Sequence, residues 1–162
     1  MKLLCILALT STAFLSCSDT QNLNDRVDDL TVRMAHSYKP GFGEFMSAIQ
    51  IHHAKLWFAG KNRNWPLAKF EIGEITETVK AIEEYETDRP EAKELPVLDP
   101  VLDSVQTAVQ QHNERLFVAT FTSLTRTCNG CHRAVNFPFN VVKIPDTPPF
   151  SNQDFSVHHQ EH

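Results

Sequence analysis

Four stretches of the sequence carry apolar residues at spacings of three and four, which is the pattern of a helix with one buried face. They begin near residues 41, 66, 98 and 113, and each is about 15 to 23 residues long, an ordinary length for a globular helix. Breaks that contain asparagine or proline separate them. The four apolar faces contain Phe42, Phe45, Met46, Ile49, His53, Leu56 and Trp57; Ala68, Ile72, Ile75, Val79 and Ile82; Leu98, Val101, Leu102, Val105, Ala108, Val109 and His112; and Leu116, Phe117, Thr120, Phe121, Leu124, Cys128, Cys131 and Val135.

Helices of this length with short connections pack as an antiparallel four-helix bundle, which can enclose a ligand in its core. We therefore predict an all-α fold with the bundle over residues 41–137, in which residues 88–96 form a polar connection. Residues 140–144 would suit an extended strand, but no partner run is present. The tail, residues 138–162, is rich in proline and phenylalanine and is predicted to be non-helical, either as an arm on the bundle or as a loose end.

The first 16 residues have the pattern of a secretory signal peptide, with Lys2 followed by an apolar run and then small residues. The run, residues 3–15, is shorter than the roughly 20 residues that a membrane-spanning helix needs. Phe14-Leu15-Ser16-Cys17 resembles the lipobox of bacterial lipoproteins, which implies that Cys17 is acylated; ordinary cleavage that leaves a free thiol is the alternative. We expect a periplasmic protein, lipid-anchored to a bacterial membrane, with residues 17–40 as a tether.

The formal charge of −5 argues against nucleic acid as a partner, because phosphate binding needs clustered Lys and Arg. Contact with a membrane is expected through the lipid anchor alone. The acidic residues of the second helix are predicted to form a solvated, outward face rather than a metal site; they are Glu71, Glu74, Glu77, Glu83 and Glu84.

The motif that carries chemistry is Cys128-Asn129-Gly130-Cys131-His132, a C-x-x-C-H sequence of the kind that attaches haem c. An offset of three residues puts both sulfurs on one helical face, so that they can add to the two vinyl groups of one haem. The adjacent His132 can then supply the proximal nitrogen to the iron. The sequence therefore predicts one covalently bound haem c.

Three other interpretations of the motif fit the sequence less well. A thioredoxin-type redox pair needs a strand-to-helix setting, whereas a long helical stripe precedes Cys128. A zinc site needs two further ligands at ordered spacing. A disulfide between Cys128 and Cys131 would leave His132 unexplained. With Cys5 removed in the signal peptide and Cys17 acylated, we expect no disulfide.

A haem motif near the C-terminal end of the last of four helices resembles the class II c-type cytochromes, the cytochrome c′ group. The resemblance covers about residues 41–139, and its one specific motif is the C-x-x-C-H sequence. It implies a left-twisted four-helix bundle with haem between the helices, the proximal histidine on the fourth helix and the sixth position facing the first. Six-coordinate members use a methionine near the start of the first helix, and Met46 has that placement.

The sixth position stays open among several candidates. Met46 and His53 share the apolar face of the first helix, but they are about 10 Å apart along its axis, so only one can reach the iron. Met46 is the preferred ligand, with His53 or His52, or an open site, as alternatives. Met46 as core filler and His53 as a hydrogen-bonded core histidine are the structural alternatives. We expect His52, His53, Lys55 or Arg133 to contact the haem propionates.

Several other residues are expected to have structural roles only. Trp57 and Trp65 are predicted to pack around the haem pocket or a loop rather than to relay electrons. The histidines of the tail, at positions 158, 159 and 162, are predicted to be solvated rather than to bind a metal.

The predicted function is one-electron transfer between periplasmic redox proteins, and no catalytic residue is expected, because the sequence places no general acid or base near the distal face. A gas-binding protein for NO or CO with an open sixth site, and a haem-bearing subunit of a larger oxidoreductase, are the alternatives. The oligomeric state, including a homodimer, stays open.

Overall fold

Every regular element in the computed structural model is helical within the residues that it describes, 15–35 and 40–158, and these residues contain no strand. The all-α prediction is confirmed for this part of the chain. Two compact units are present, Met1–Lys39 and Pro40–His162. The helices are α1 (Leu15–Ala35), α2 (Phe42–Lys61), α3 (Trp65–Tyr85), a 3₁₀ helix (Pro90–Leu98), α4 (Asp99–Gln110) and α5 (Glu114–Ala134).

Most of the segment predicted as a tether, residues 17–35, lies in the 21-residue helix α1, and residues 36–39 lie outside the described residues. No proline or glycine interrupts Leu15–Ala35, and Asp29 and Arg33 lie 3.7 Å apart as an i,i+4 ion pair, which favours a helix. Cys17 falls in its first turn, and residues 1–14 of the predicted signal peptide lie outside the described residues. None of the described helices is both long and apolar enough to cross a membrane.

Two matching turns reverse the chain after α2 and after α4. At each helix end a residue adopts the left-handed conformation, Arg63 with φ of 57° and His112 with φ of 51°, and it donates its backbone N–H back to the helix. The following asparagine caps the next helix: the Asn64 side chain accepts from the Leu67 N–H, and the Asn113 side chain accepts from the Leu116 N–H. His112 was predicted to continue the apolar face of its helix, but it is exposed in this turn.

The connection between α3 and α4 is more ordered than predicted. Residues 88–96 were expected to be a polar link, whereas most of this stretch belongs to the 3₁₀ helix. Ala92, Leu95 and Leu98 of that helix are buried in the core. Their spacing of three matches the three-residue turn of a 3₁₀ helix, which places them on one face.

The core of the second unit lies among α2, α3, the 3₁₀ helix, α4 and α5. Contacts between α2 and α5 run in opposite sequence order: His53 meets Thr125, Trp57 meets Phe121, and Lys61 meets Glu114. Gly60 allows the closest approach, because a Cβ at that position would stand 2.2 Å from the fully buried Phe117 ring.

The described part of the tail forms an arm that packs on the helices of the second unit. Of the two alternatives predicted for the tail, an arm on the bundle and a loose end, these residues show the arm. The arm begins after α5 and has no helix or strand through residue 158. Phe155 is only 5% exposed and its ring packs on Phe58. The Asn64 side chain donates to the backbone oxygen of Ser156 at 2.9 Å, and the Lys55 ammonium lies over the Phe150 ring.

Candidate functional site

A cavity of about 310 Å³ lies among α2, the 3₁₀ helix, the end of α5 and the start of the arm. This volume is at the lower end of the range of ligand pockets, roughly 300 to 1,000 Å³. Its wall is mainly apolar and brings together five of the predicted site residues, Met46, His53, Cys128, Cys131 and His132. Ile49, Leu95 and Leu98 are among its apolar side chains.

The two cysteines of the motif lie on one side of α5 in its last two turns, and both thiols are free. Burial, with a contribution from neighbouring Cys131, raises the pKa of the Cys128 thiol to about 11. Burial, with a contribution from Glu94, also raises the pKa of Cys131. A redox-active pair needs a lowered thiol pKa, so these environments disfavour the thioredoxin-type interpretation.

His132 is half-buried at the cavity wall, and its ring is oriented by the arm. Its Nδ1 lies 2.7 Å from the backbone oxygen of Asn140. A carbonyl oxygen only accepts hydrogen bonds, so Nδ1 carries the proton and donates it. In the neutral ring, Nε2 then keeps its lone pair and can bind a metal ion, an arrangement common among metal-ligating histidines.

Met46 comes from α2 and is half-buried, so that its side chain contributes to the same cavity. Phe42 and Ile49 lie one turn away on each side and also line the cavity. The helical spacing predicted from the sequence therefore does place Met46 on the face of α2 that meets the motif. The thioether sulfur is a soft donor suited to iron in haem proteins.

His53 is the satisfied core histidine that the sequence analysis offered as an alternative. It is 4% exposed, and its Nε2 lies 2.8 Å from the Thr125 hydroxyl. That hydroxyl gives its proton to the backbone oxygen of Phe121, so it accepts from a protonated Nε2 of His53. Burial lowers the pKa of His53 to about 4, which keeps the ring neutral at pH 7.

The prediction that Glu71 faces solvent is wrong. Its side chain is fully buried between α2 and α3, and Oε2 accepts a hydrogen bond of 2.6 Å from Nδ1 of His52. His52 is thereby held on the α3 side of α2 rather than in the cavity. Glu71 follows the same three-and-four spacing as Ala68, Ile72 and Ile75, and this spacing was a signal that could have shown its burial.

Of the residues predicted to contact propionates, His53 alone lines the cavity. Lys55 lies over Phe150 of the arm, and Arg133 is exposed. The cation that does line the cavity is Arg89, at the start of the 3₁₀ helix, 5.2 Å from the centroid of the Phe42 ring. Sequence reasoning missed it because it lies in a break between helical stripes.

Glu91 is a second missed residue at the cavity wall. Its Oε2 lies 3.5 Å from Nε of Arg89, and this buried oxygen makes no hydrogen bond among the described residues. Like Arg89, Glu91 lies in a break between helical stripes. Neither tryptophan lines the cavity: Trp57 packs on Phe117 and Phe121, and Trp65 stacks on His112, as expected of packing residues.

The cavity thus offers two thiols for covalent attachment, Nε2 of His132 and the thioether sulfur of Met46, while Nε2 of His53 is engaged by Thr125. Within residues 15–35 and 40–158, no group of three or more His, Cys, Asp or Glu side chains could hold a metal ion. The haem expected from the motif would not need such a group, because its ring itself supplies nitrogen ligands to the iron and the chain would add one histidine. No protein-family model, curated protein or solved structure matches this chain.

Proposed function

We propose that this protein is an exported monohaem c-type cytochrome that transfers single electrons between periplasmic redox proteins. One observation carries the proposal: Cys128, Cys131, His132 and Met46, which come from two helices, line a single cavity. Bound haem c supplies an iron that cycles between two oxidation states. The residues of this chain would attach, orient and shield it.

The attachment residues fit a covalently bound haem on chemical grounds. Free thiols three residues apart on one helical side suit two thioether bonds to one macrocycle. His132 suits the proximal role because the Asn140 carbonyl holds its Nδ1 proton and leaves Nε2 as the donor.

The contacts of the two α2 histidines favour Met46 as the distal ligand. Ligation through Nε2 of His53 would break its hydrogen bond to Thr125, and both groups are buried. His52 is engaged by the buried Glu71 carboxylate on another side of the helix. With Met46 and His132 as its two ligands from the chain, a bound haem iron would have a raised reduction potential and no open site, which suits electron transfer.

The side chains around the cavity support this role further. Ile49, Leu95 and Leu98 form an apolar wall that would exclude water from the iron. Arg89 supplies five N–H donors at the rim of this wall and is suited to a propionate carboxylate. The opposite order of contacts along α2 and α5, with two tight turns, supports the antiparallel four-helix arrangement that the cytochrome c′ resemblance implies.

Export and anchoring belong to the same proposal. Haem c is attached after export in bacteria, and the signal pattern of residues 1–16 with Cys17 directly after it suits a periplasmic protein held by a lipid anchor. A Cys17→Ser variant should lose its membrane association and still carry covalent haem, which separates the anchor from the haem site.

The proposal is tested by expressing the full chain with its own leader in a host that attaches haem c. Haem should stay bound to the denatured protein, and Cys128→Ser with Cys131→Ser should abolish this. The reduced protein should give a low-spin spectrum that CO does not change. A wild-type protein without covalent haem would overturn the proposal, whereas a high-spin spectrum that responds to CO would favour the gas-binding alternative.

Met46 is tested with a matched control in the same chain. Met46→Ala should convert the spectrum to one that responds to CO. Met34→Ala removes a methionine that is 73% exposed in α1, and its spectrum should be that of the wild type. Low-spin bands that persist in Met46→Ala would exclude Met46 as the ligand.

A further inference from the structure

The arm turns back over the haem motif immediately after α5. Asn136 adopts the left-handed conformation with φ of 65°, which asparagine tolerates better than most residues. The Phe137 N–H then donates to the backbone oxygen of His132 at 2.7 Å, and the Asn136 N–H donates to that of Arg133 at 3.3 Å. This is the Schellman pattern of a helix end, and it directs the chain back along α5.

The returning arm is held by the first variable residue of the motif. The Asn129 side chain donates to the backbone oxygen of Val142 at 2.7 Å and accepts from the backbone N–H of Val142 at 2.8 Å. A primary amide is suited to this pairing, because it carries a donor and an acceptor side by side. The pairing sets both the position and the direction of the backbone at Val142.

The Asn140 carbonyl that orients His132 lies between these two anchors. The chain is held at Phe137 by the helix end and at Val142 by Asn129, and the Asn140 N–H donates to the backbone oxygen of Phe137 at 3.0 Å. The carbonyl oxygen of Asn140 is thus presented to Nδ1 of His132 at 2.7 Å. The arm, and not α5 itself, supplies the partner of the ring.

We infer that Asn129 is a positioning residue for His132. Its two hydrogen bonds to the Val142 backbone, called the clamp below, hold the Asn140 carbonyl against the His132 ring and thereby lower the reduction potential of the haem iron. This inference rests on the proposed function. When Nδ1–H donates a hydrogen bond, the imidazole becomes a stronger electron donor through Nε2, and this would stabilise the oxidised state of a bound iron. Loss of the clamp should therefore shift the reduction potential to a more positive value.

The test uses two variants that break the clamp from opposite sides. Asn129→Ala removes the amide, and Val142→Pro removes the backbone N–H that the amide binds. Ser123→Ala, at an exposed position earlier in α5, is the matched control. At the midpoint potential of the wild type, each clamp variant should show a severalfold rise in the ratio of reduced to oxidised protein. The double variant should shift no further, because both changes remove one interaction.

Hydrogen exchange supplies a readout that does not depend on the haem. The Val142 amide should be protected in the wild type and in Ser123→Ala, and should lose its protection in Asn129→Ala. Protection that persists in Asn129→Ala would overturn the inference. So would a wild-type potential in both clamp variants after protection is lost, because the arm would then be free without effect on His132. Absence of covalent haem from the wild type overturns the proposed function instead, while the exchange data still report on the clamp.

Discussion

The two ends of the α2–α5 interface come from the same pair of helices and are filled in opposite ways. The closed end is formed by Trp57, Gly60, Phe117 and Phe121, and its aromatic rings pack with centroids 5.0 to 6.2 Å apart. At the open end, marked by Met46 and the C-x-x-C-H motif, the side chains leave a cavity of about 310 Å³.

The difference lies in what completes the packing. Protein interiors are close-packed and contain few voids larger than a water molecule. At the closed end, a glycine and a phenylalanine fit each other, so this end is completed by the chain itself. At the open end, side chains of α2, the 3₁₀ helix, α5 and the arm surround a cavity instead of filling it, and we expect a bound group to complete the core. The stability of the closed end should therefore depend on side chains, and that of the open end on the ligand.

The largest expected effect is the loss of a closed-end ring. Phe117→Ala should lower the free energy of unfolding by about 3–5 kcal/mol, because the ring is fully buried. Met46→Ala at the open end should cost clearly less, since Met46 is half-buried beside open space. Urea unfolding of both variants measures the difference, and equal costs would show that the two ends do not differ as described.

The next effect comes from filling the close approach between the helices. Gly60→Ala places a methyl group against the Phe117 ring and should destabilise the protein by about 1–3 kcal/mol. Gly73→Ala in α3 is the matched control, because no atom lies within 4 Å of its added Cβ. That variant should gain about 0.5–1 kcal/mol from helix propensity. A destabilised Gly73→Ala or an unaffected Gly60→Ala in thermal unfolding would contradict the packing assigned to the closed end.

His53 links the two ends, since it lines the cavity and lies 4.4 Å from the Phe121 ring. Its pKa is lowered to about 4 by burial, so between pH 6.5 and 4 the unfolded chain binds a proton that the folded protein does not. Stability should therefore fall as the pH falls, with His53 contributing about 2 kcal/mol between pH 7 and 4.5. His53→Gln should show a correspondingly shallower pH dependence of urea unfolding. Identical profiles for the wild type and His53→Gln would show that the burial of His53 does not contribute to the pH dependence of stability.

The smallest effect concerns the far anchor of the arm. Asn64→Ser keeps a good helix cap and loses the amide donor to Ser156, so stability should fall by only about 1 kcal/mol or less. Hydrogen exchange near residues 154–157 should accelerate, while the spectrum of the proposed haem should stay that of the wild type. A changed spectrum would mean that the two anchors of the arm are coupled along its length.

Local patterns predicted much of this fold. The spacing of apolar residues located α2, α3, α4 and α5 and placed Met46 and His53 on one face, because helical periodicity is a property of the chain alone. The same reasoning separated His53 from His52, and the structure places them on different sides of α2. It misplaced Glu71, because an acidic residue on an apolar face is buried only when a partner such as His52 is brought to it from another helix.

Residues that act across the fold were outside the reach of these patterns. Arg89 and Glu91 lie in a break between helical stripes, and no periodicity assigns a break to a cavity wall. Asn140 acts through its backbone oxygen, which every type of residue has, so its identity gave no sign of this role. Asn129 stands in the motif at a position where the haem-attachment pattern accepts any residue.

The sequence by itself located α2, α3, α4 and α5 and singled out Cys128, Cys131 and His132 as the residues of the proposed haem attachment. These follow from residue types and from spacings of three or four, which one helical turn converts into a shared face. Only the tertiary structure decided which side chains close the core, which leave the cavity, and which carbonyl orients His132. Those outcomes depend on contacts between residues far apart in the chain, and such contacts exist only once the helices and the arm have packed.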